Sequence, residues 1–190
     1  LRWMMASEVA FLRAEGAMRG WTAEMGGTAE EFYNKGIELS FLEHGLTAAA
    51  AAAYAQSTAE PQAFEDASAA STKYNASKPS SVTPKWNAGA GDEEKLERII
   101  TQKWIANWQL GNEAWADYRR TGYPRLMPAT EDGNKSLGVV DSELGARRMP
   151  YPADEYTTNN VNVNNAVSSL LKGADNMATR MWWDCNPAIK

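Results

Sequence analysis

The 190-residue sequence has a single cysteine and a single histidine. Cys185 alone closes no internal disulfide, and with His44 as the sole imidazole there is no Cys/His cluster of zinc spacing, so neither a metal nor a cofactor is expected. Stability needs no such staple, because a chain of this length buries about 70% of the surface that its unfolded form exposes. Basic residues are also in short supply. With 19 against 24 acidic residues the net charge is -5, the wrong sign for gripping a phosphate backbone, and no nucleic-acid partner is expected. No run approaches 18 apolar residues, and the alanines from Ala48 to Ala53 are too few to span a bilayer, which predicts a soluble portion. GxSxG, P-loop and GxGxxG motifs are missing as well. A chain starting at Leu1 is expected to continue upstream, so the lack of a signal peptide or lipidation cysteine describes this portion only.

What the sequence does have is tryptophan, eight of them, with eight prolines and fourteen glycines that imply long irregular segments between helices. In the first block Met5, Val9, Leu12 and Gly16 form one stripe and Met4, Phe11 and Met18 another, both at helical spacing. A helix apolar over so much of its circumference packs on two sides. Thr28-Ala29-Glu30-Glu31 presents a capping box, so a second helix is predicted from about Ala29 to about His44, with Phe32, Tyr33, Ile37, Phe41 and Leu42 apolar and Gly45 as the stop. Together they make an antiparallel hairpin of tetratricopeptide length, ~34 residues per unit. One hairpin cannot bury both its faces alone, so neighbours must exist.

Between Thr47 and Gly91 the composition shifts to small and polar residues punctuated by Pro61, Pro79 and Pro84, where only short helical turns are expected. Tyr54, Phe64, Tyr74 and Trp86 argue for a folded excursion or a binding loop rather than disorder. Asp92 reads as the N-cap of a third helix, with Leu96, Ile99, Ile100, Trp104 and Trp108 on one apolar face as far as about Leu110. NEAWADYRRTG then makes a shorter partner helix, closed by Tyr123-Pro124. After Met127, EDGN at 131–134 is a turn, LGVV is at most a short strand, RRMPYPADEYTTNN is extended, and 160–172 holds one more short helix. Trp182-Trp183-Asp184 reads as a tail pinned onto the body. The expected fold class is all-α, with tetratricopeptide-like helical hairpins at 1–45 and 92–126, a loop-rich excursion at 46–91 and an irregular C-terminal segment at 127–190 packed on the helices, all in one domain of a larger protein.

The wording FLRAEGAMRGW, GIELSF, ITQKWIANWQLGNEAWADYRRTGYP, RRMPYPADEYTTNN and MWWD, in that order, resembles the C-terminal part of the SusD/RagB family, within it the SusD-like variants. The longest matching run, Thr101 to Pro124, is the most idiosyncratic. The resemblance implies a SusD-like α superhelix and a surface-exposed outer-membrane lipoprotein that captures glycans or other nutrients. It implies as partner a TonB-dependent, SusC-like channel, and it places the lipid anchor and much of the binding surface outside this chain.

For a sugar ligand the useful side chains are flat aromatics, which cover the C–H face of a pyranose, and amides, which both donate and accept. Trp104, Trp108 and Trp115 fall on helical apolar faces and read as core, while Trp182 and Trp183 read as tail anchors. Trp86 in PKWNAGAG and Tyr74 in KYNASK have no helix face to explain them. They, with Asn87 and Asn75 beside them, are the candidate ligand-binding residues; the alternative is that the rings pin their own loop and the asparagines only make turns. Glu8 and Glu15 lie two turns apart among apolar residues. They could serve as a glycosidase acid and base, but a carboxylate facing a core joint more often takes an arginine, and Arg119, Arg120, Arg147 and Arg148 supply two doublets. No catalytic residue is therefore assigned, and the turn at Glu131 lacks the spaced ligand series of a calcium loop. The reading is a non-catalytic nutrient-binding component, with a glycoside hydrolase or a tetratricopeptide protein-interaction scaffold as alternatives.

Overall fold

In the computed structural model, which describes residues 4–68, 74–130 and 133–185, the capping box is closed as its sequence predicts. Thr28 Oγ1 accepts from the Glu31 amide at 3.2 Å, and the Glu31 carboxylate accepts from the Thr28 amide at 2.7 Å. The helices are α1 (Ala6–Met18), α2 (Thr22–Met25), α3 (Ala29–Glu43), α4 (Ala48–Ala55), α5 (Asp92–Ala106), α6 (Gly111–Thr121), α7 (Ala153–Thr158) and α8 (Asn160–Ala166), the last running into a π-helical turn at Val167–Leu171. Among the described residues there is no strand, only an isolated antiparallel bridge between Phe64 and Ala76. Glu131 and Asp132, the acidic half of the predicted turn, lie outside the described residues.

The chain divides into two units. The first comprises Leu1–Gln62, Lys78–Tyr118 and Gly122–Leu126. Here α1 and α3 form the predicted hairpin and α5 packs on both, while α4 packs on α3. Close approach is decided at Gly36, where an added Cβ would stand 2.7 Å from the Phe11 ring. The core holds Phe11, Ala14, Tyr33, Ile37, Ala51, Ala55, Ile99 and Ala106. Polar ties lock its edges: Glu43 accepts from the Ser7 amide at 3.1 Å and hydroxyl at 2.6 Å, and the Tyr54 hydroxyl donates to Gln102 at 3.1 Å.

Two helix faces differ from the periodic reading. In α1 the buried side runs through Ser7, Glu8, Ala10, Phe11, Ala14 and Glu15, leaving Val9 and Leu12 exposed. Small residues win there because the neighbouring helix comes close. In α5 the buried residues include Leu96, Ile99, Ile100, Lys103 and Ala106 at helical spacing, followed by the C-cap Asn107, with Glu97, Arg98 and Gln102 buried as well, whereas Trp104 and Trp108 stand on the surface. The N-cap of α5 is Gly91, and Asp92 is its first helical residue, placing an acidic first turn at the positive end of the helix dipole.

The second unit comprises Ala63–Ser77, Arg119–Thr121 and Met127–Lys190. Asn134 organises its first loop, accepting from the Ser136 amide at 3.0 Å and donating to the Val140 carbonyl at 2.7 Å, so LGVV is a turn and not a strand. The extended reading of RRMPYPADEYTTNN holds only as far as Pro152, the N-cap of α7; once both prolines are passed, nothing keeps ADEYTT from helix. Asp175 gathers this region, accepting from the Tyr151 amide at 3.1 Å and the Tyr156 hydroxyl at 2.6 Å and pairing with Arg148.

Candidate functional site

The carboxylates on α1 are engaged. Lys103 Nζ lies 2.7 Å from Asp117 and 3.5 Å from Glu8, all three side chains being buried, while Glu15 takes Arg19 at 2.9 Å. A lysine sits on the buried stripe of α5 because two carboxylates meet it there. The three buried side chains join α1, α5 and α6. Of the arginine doublets, Arg147 pairs with Asp184 and Arg148 with Asp175.

The predicted ligand residues fall in both units. Trp86 and Asn87 share a loop of the first. The Trp86 ring rests 5.0 Å from that of Tyr33, whose hydroxyl donates to the Pro84 carbonyl at 2.6 Å, so ring and hydroxyl together fasten the loop to the core. Burial pushes the Tyr33 hydroxyl far above the ordinary tyrosine value, keeping it a neutral donor. Asn87 accepts from the Gly89 amide at 3.1 Å and donates to Glu94 at 3.3 Å. Tyr74 and Asn75 belong to the second unit, beside the bridge. Tyr74 is 40% exposed, and Asn75 Oδ1 accepts from the Asp66 amide at 2.8 Å. Both asparagines thus shape turns, and both lie at the surface or close to it.

A third feature was not picked out by periodicity. Trp104, Trp108, Trp115 and Tyr118, with Leu126, line a cleft of about 320 Å³ on the first unit, and Asn107 forms part of its wall. Trp104 is 37% and Trp108 68% exposed, so neither is core. Asn107 is 2% exposed, yet neither its Oδ1 nor its Nδ2 has a hydrogen-bond partner among the described residues. Each such group left unsatisfied costs about 1–3 kcal/mol. Among the described residues no group of His, Cys, Asp or Glu is arranged to hold a metal ion.

Comparison with known proteins gives this geometry its context. The model of the family described as SusD-like, Susd and RagB outer membrane lipoprotein, matches residues 1–184. The chain belongs to the SusD/RagB family. Among solved structures it is similar to a SusD homolog from Bacteroides uniformis, 56% identical with a TM-score of 0.84 over 97% of this chain and 37% of that one. A chitin-binding SusD homolog from Flavobacterium johnsoniae is 45% identical, with a TM-score of 0.85 over 97% of this chain and 36% of that one. A SusD-like protein from Bacteroides thetaiotaomicron is 44% identical, with a TM-score of 0.85 over 98% and 38%. No curated protein matches. The SusD-like chain therefore spans somewhat more than a third of the length of the family structures it resembles. Its fold class, all-α with helical hairpins, is that of the corresponding part of those structures.

Among the described residues of this SusD-like chain no helix is long and apolar enough to cross a membrane. The cleft could have been found in the sequence. Trp104 and Trp108 are four apart, but the series 96, 99, 100, 103, 107 puts a different stripe inward once Lys103 is allowed a buried place.

Proposed function

We propose that residues 1–190 belong to the non-catalytic, nutrient-binding component of an outer-membrane uptake system, with a glycan as ligand. The observation that carries this reading is the likeness to a chitin-binding family member, 45% identical over 97% of the chain. The intact protein is held at the cell surface by an N-terminal lipid and delivers its ligand to a TonB-dependent, SusC-like channel. Capture works by stacking of aromatic rings on sugar C–H faces together with hydrogen bonds to hydroxyls, in a shallow site of modest affinity. Within these residues the contacts come from the 46–91 segment. Tyr74 supplies an accessible ring beside Asn75, and Trp86 holds Asn87 at the loop surface.

The test is calorimetric titration of the intact protein with chitin oligosaccharides, followed by analysis of the sugar recovered. Binding with the oligosaccharides unchanged is expected, and Tyr74→Ala is expected to weaken it by about 1–2 kcal/mol, the scale of one lost aromatic platform. Shortened oligosaccharides would replace this reading with a hydrolase. Failure to bind any glycan while the channel is retained would favour a protein-interaction scaffold.

A further inference from the structure

Helix α1 ends in a left-handed turn at Gly20, where the Gly20 amide donates to the Ala17 carbonyl at 3.1 Å and the Trp21 amide to the Gly16 carbonyl at 3.0 Å. In a turn of this kind the residue at the place of Trp21 commonly rests its side chain on the helix three or four positions from its end. Those positions are Gly16 and Glu15 here: Met25 fills the space over the glycine, and the carboxylate takes Arg19. The turn therefore fixes the Trp21 backbone while its ring stays 56% exposed, with no aromatic, cationic or hydrogen-bonding partner among the described residues. That ring borders a cleft of about 410 Å³ within the first unit. Met18 and Leu96 give the cleft an apolar lining, and Arg19, Asp92 and Glu93 a charged one. Arg19 spends Nε and Nη2 on Glu15, at 3.0 and 2.9 Å, and keeps Nη1 outside that pair. Glu93 accepts from the Tyr123 hydroxyl at 3.1 Å, whereas the exposed Asp92 carboxylate has no partner among the described residues. Burying an unpaired charge is costly, so a face that carries one belongs in contact with water.

We propose that this cleft is a second glycan site, one that takes a neutral pyranose, in addition to the contacts of the 46–91 segment. It rests on the glycan reading above. The Trp21 ring covers the C–H face of the sugar, Asp92 and Glu93 accept from its hydroxyls, and Arg19 donates to one of its oxygens. The turn at Gly20 holds the ring in place before the ligand arrives, which lowers the cost of binding. With two carboxylates on its wall and a single guanidinium already paired to Glu15, the cleft repels a uronic or sulfated sugar.

The experiment is hydroxyl-radical footprinting of the unmodified intact protein, read at Trp21 by mass spectrometry, with and without chitin oligosaccharide at a concentration that saturates a calorimetric titration. Trp21 is expected to react at least about threefold more slowly with the sugar bound, because a stacked ligand covers most of the ring. Oligogalacturonate, an acidic glycan, is expected to leave the rate within about twofold. A rate already about tenfold below that of the urea-unfolded protein without any sugar would show the cleft closed by the rest of the polypeptide and overturn the site. Binding heat from chitin oligosaccharide with no change at Trp21 would overturn the site and leave the glycan reading standing. No binding heat from either sugar would overturn both. Equal protection by the two sugars would overturn the assignment to a neutral one. In a second arm, Trp21→Ala in the intact protein should bind one chitin oligosaccharide fewer, with its melting temperature within about 2 °C of the parent. An unchanged number, or a loss that comes only with a large drop in melting temperature, would overturn the site.

Discussion

Arg147 and Asp184 meet in a two-pronged ion pair, Nε to Oδ2 and Nη2 to Oδ1 each at 2.8 Å, with both side chains shut away from water 37 residues apart in the chain. Arg147 also donates to the Arg119 carbonyl at 3.2 Å. The tail is therefore pinned by its aspartate. Trp182 is 84% exposed, while Trp183 lies under the Arg119 guanidinium at 4.6 Å. Parallel bonds to a carboxylate fix orientation as well as distance, so this ion pair sets the path of the segment that carries Asp184.

Arg147→Met in the intact protein is expected to cost about 3 kcal/mol in urea unfolding, because the buried Asp184 carboxylate loses both its short bonds and keeps only the partly exposed Arg180, 3.8 Å away. Adding Asp184→Leu should recover a large part of the loss. A double variant no better than the single one would show that the arginine acts through packing alone.

Lys103→Met should destabilise on a similar scale, about 3–5 kcal/mol, since Glu8 and Asp117 then face each other in the interior without their shared cation. The same denaturation measurement checks it. Loss of less than about 1 kcal/mol would mean that the carboxylates had found water or protons instead.

Trp86→Ala is expected to lower stability by about 2–3 kcal/mol, less than for a fully buried ring because the side chain is only partly covered. The Pro84 to Asn87 loop should become susceptible to protease. Intact stability together with weakened glycan binding would give the ring to the ligand rather than to the fold.

The Glu94 carboxyl is held below the ordinary carboxylate value, first by the hydrogen bond that Arg98 donates at 2.9 Å, with partial burial opposing it. A folded-state value below the unfolded one adds stability at pH above the unfolded value, about 4.3, and that stability is lost as pH falls through the folded value. Unfolding midpoints measured from pH 5 down to pH 3 should therefore decline less steeply in Glu94→Gln than in the parent. The difference is small because this carboxylate is exposed and water screens it. Parallel declines would show that the bond does not persist in solution.

Much of this protein was legible in its residues. Thr28 and Glu31 act through contacts three residues apart, Gly45 terminates α3 with its left-handed backbone, and the run from Thr101 to Pro124 is characteristic enough to point to a family. These signals are local, so neighbouring residues suffice to define them. Which face of each helix turns inward is another matter. A helical period names stripes, and two overlapping stripes on α5 compete: one richer in tryptophan, the other interrupted by Lys103. Only the arrival of Glu8 from α1 and Asp117 from α6 makes burying the lysine favourable, and the tryptophans are displaced to the surface as a result. Likewise, nothing near Asp184 in the sequence announces Arg147 as its partner. Charge burial depends on a counter-charge delivered from far along the chain, so tertiary structure decided it, while the sequence by itself determined the long helices, the capping box at Thr28 and the family.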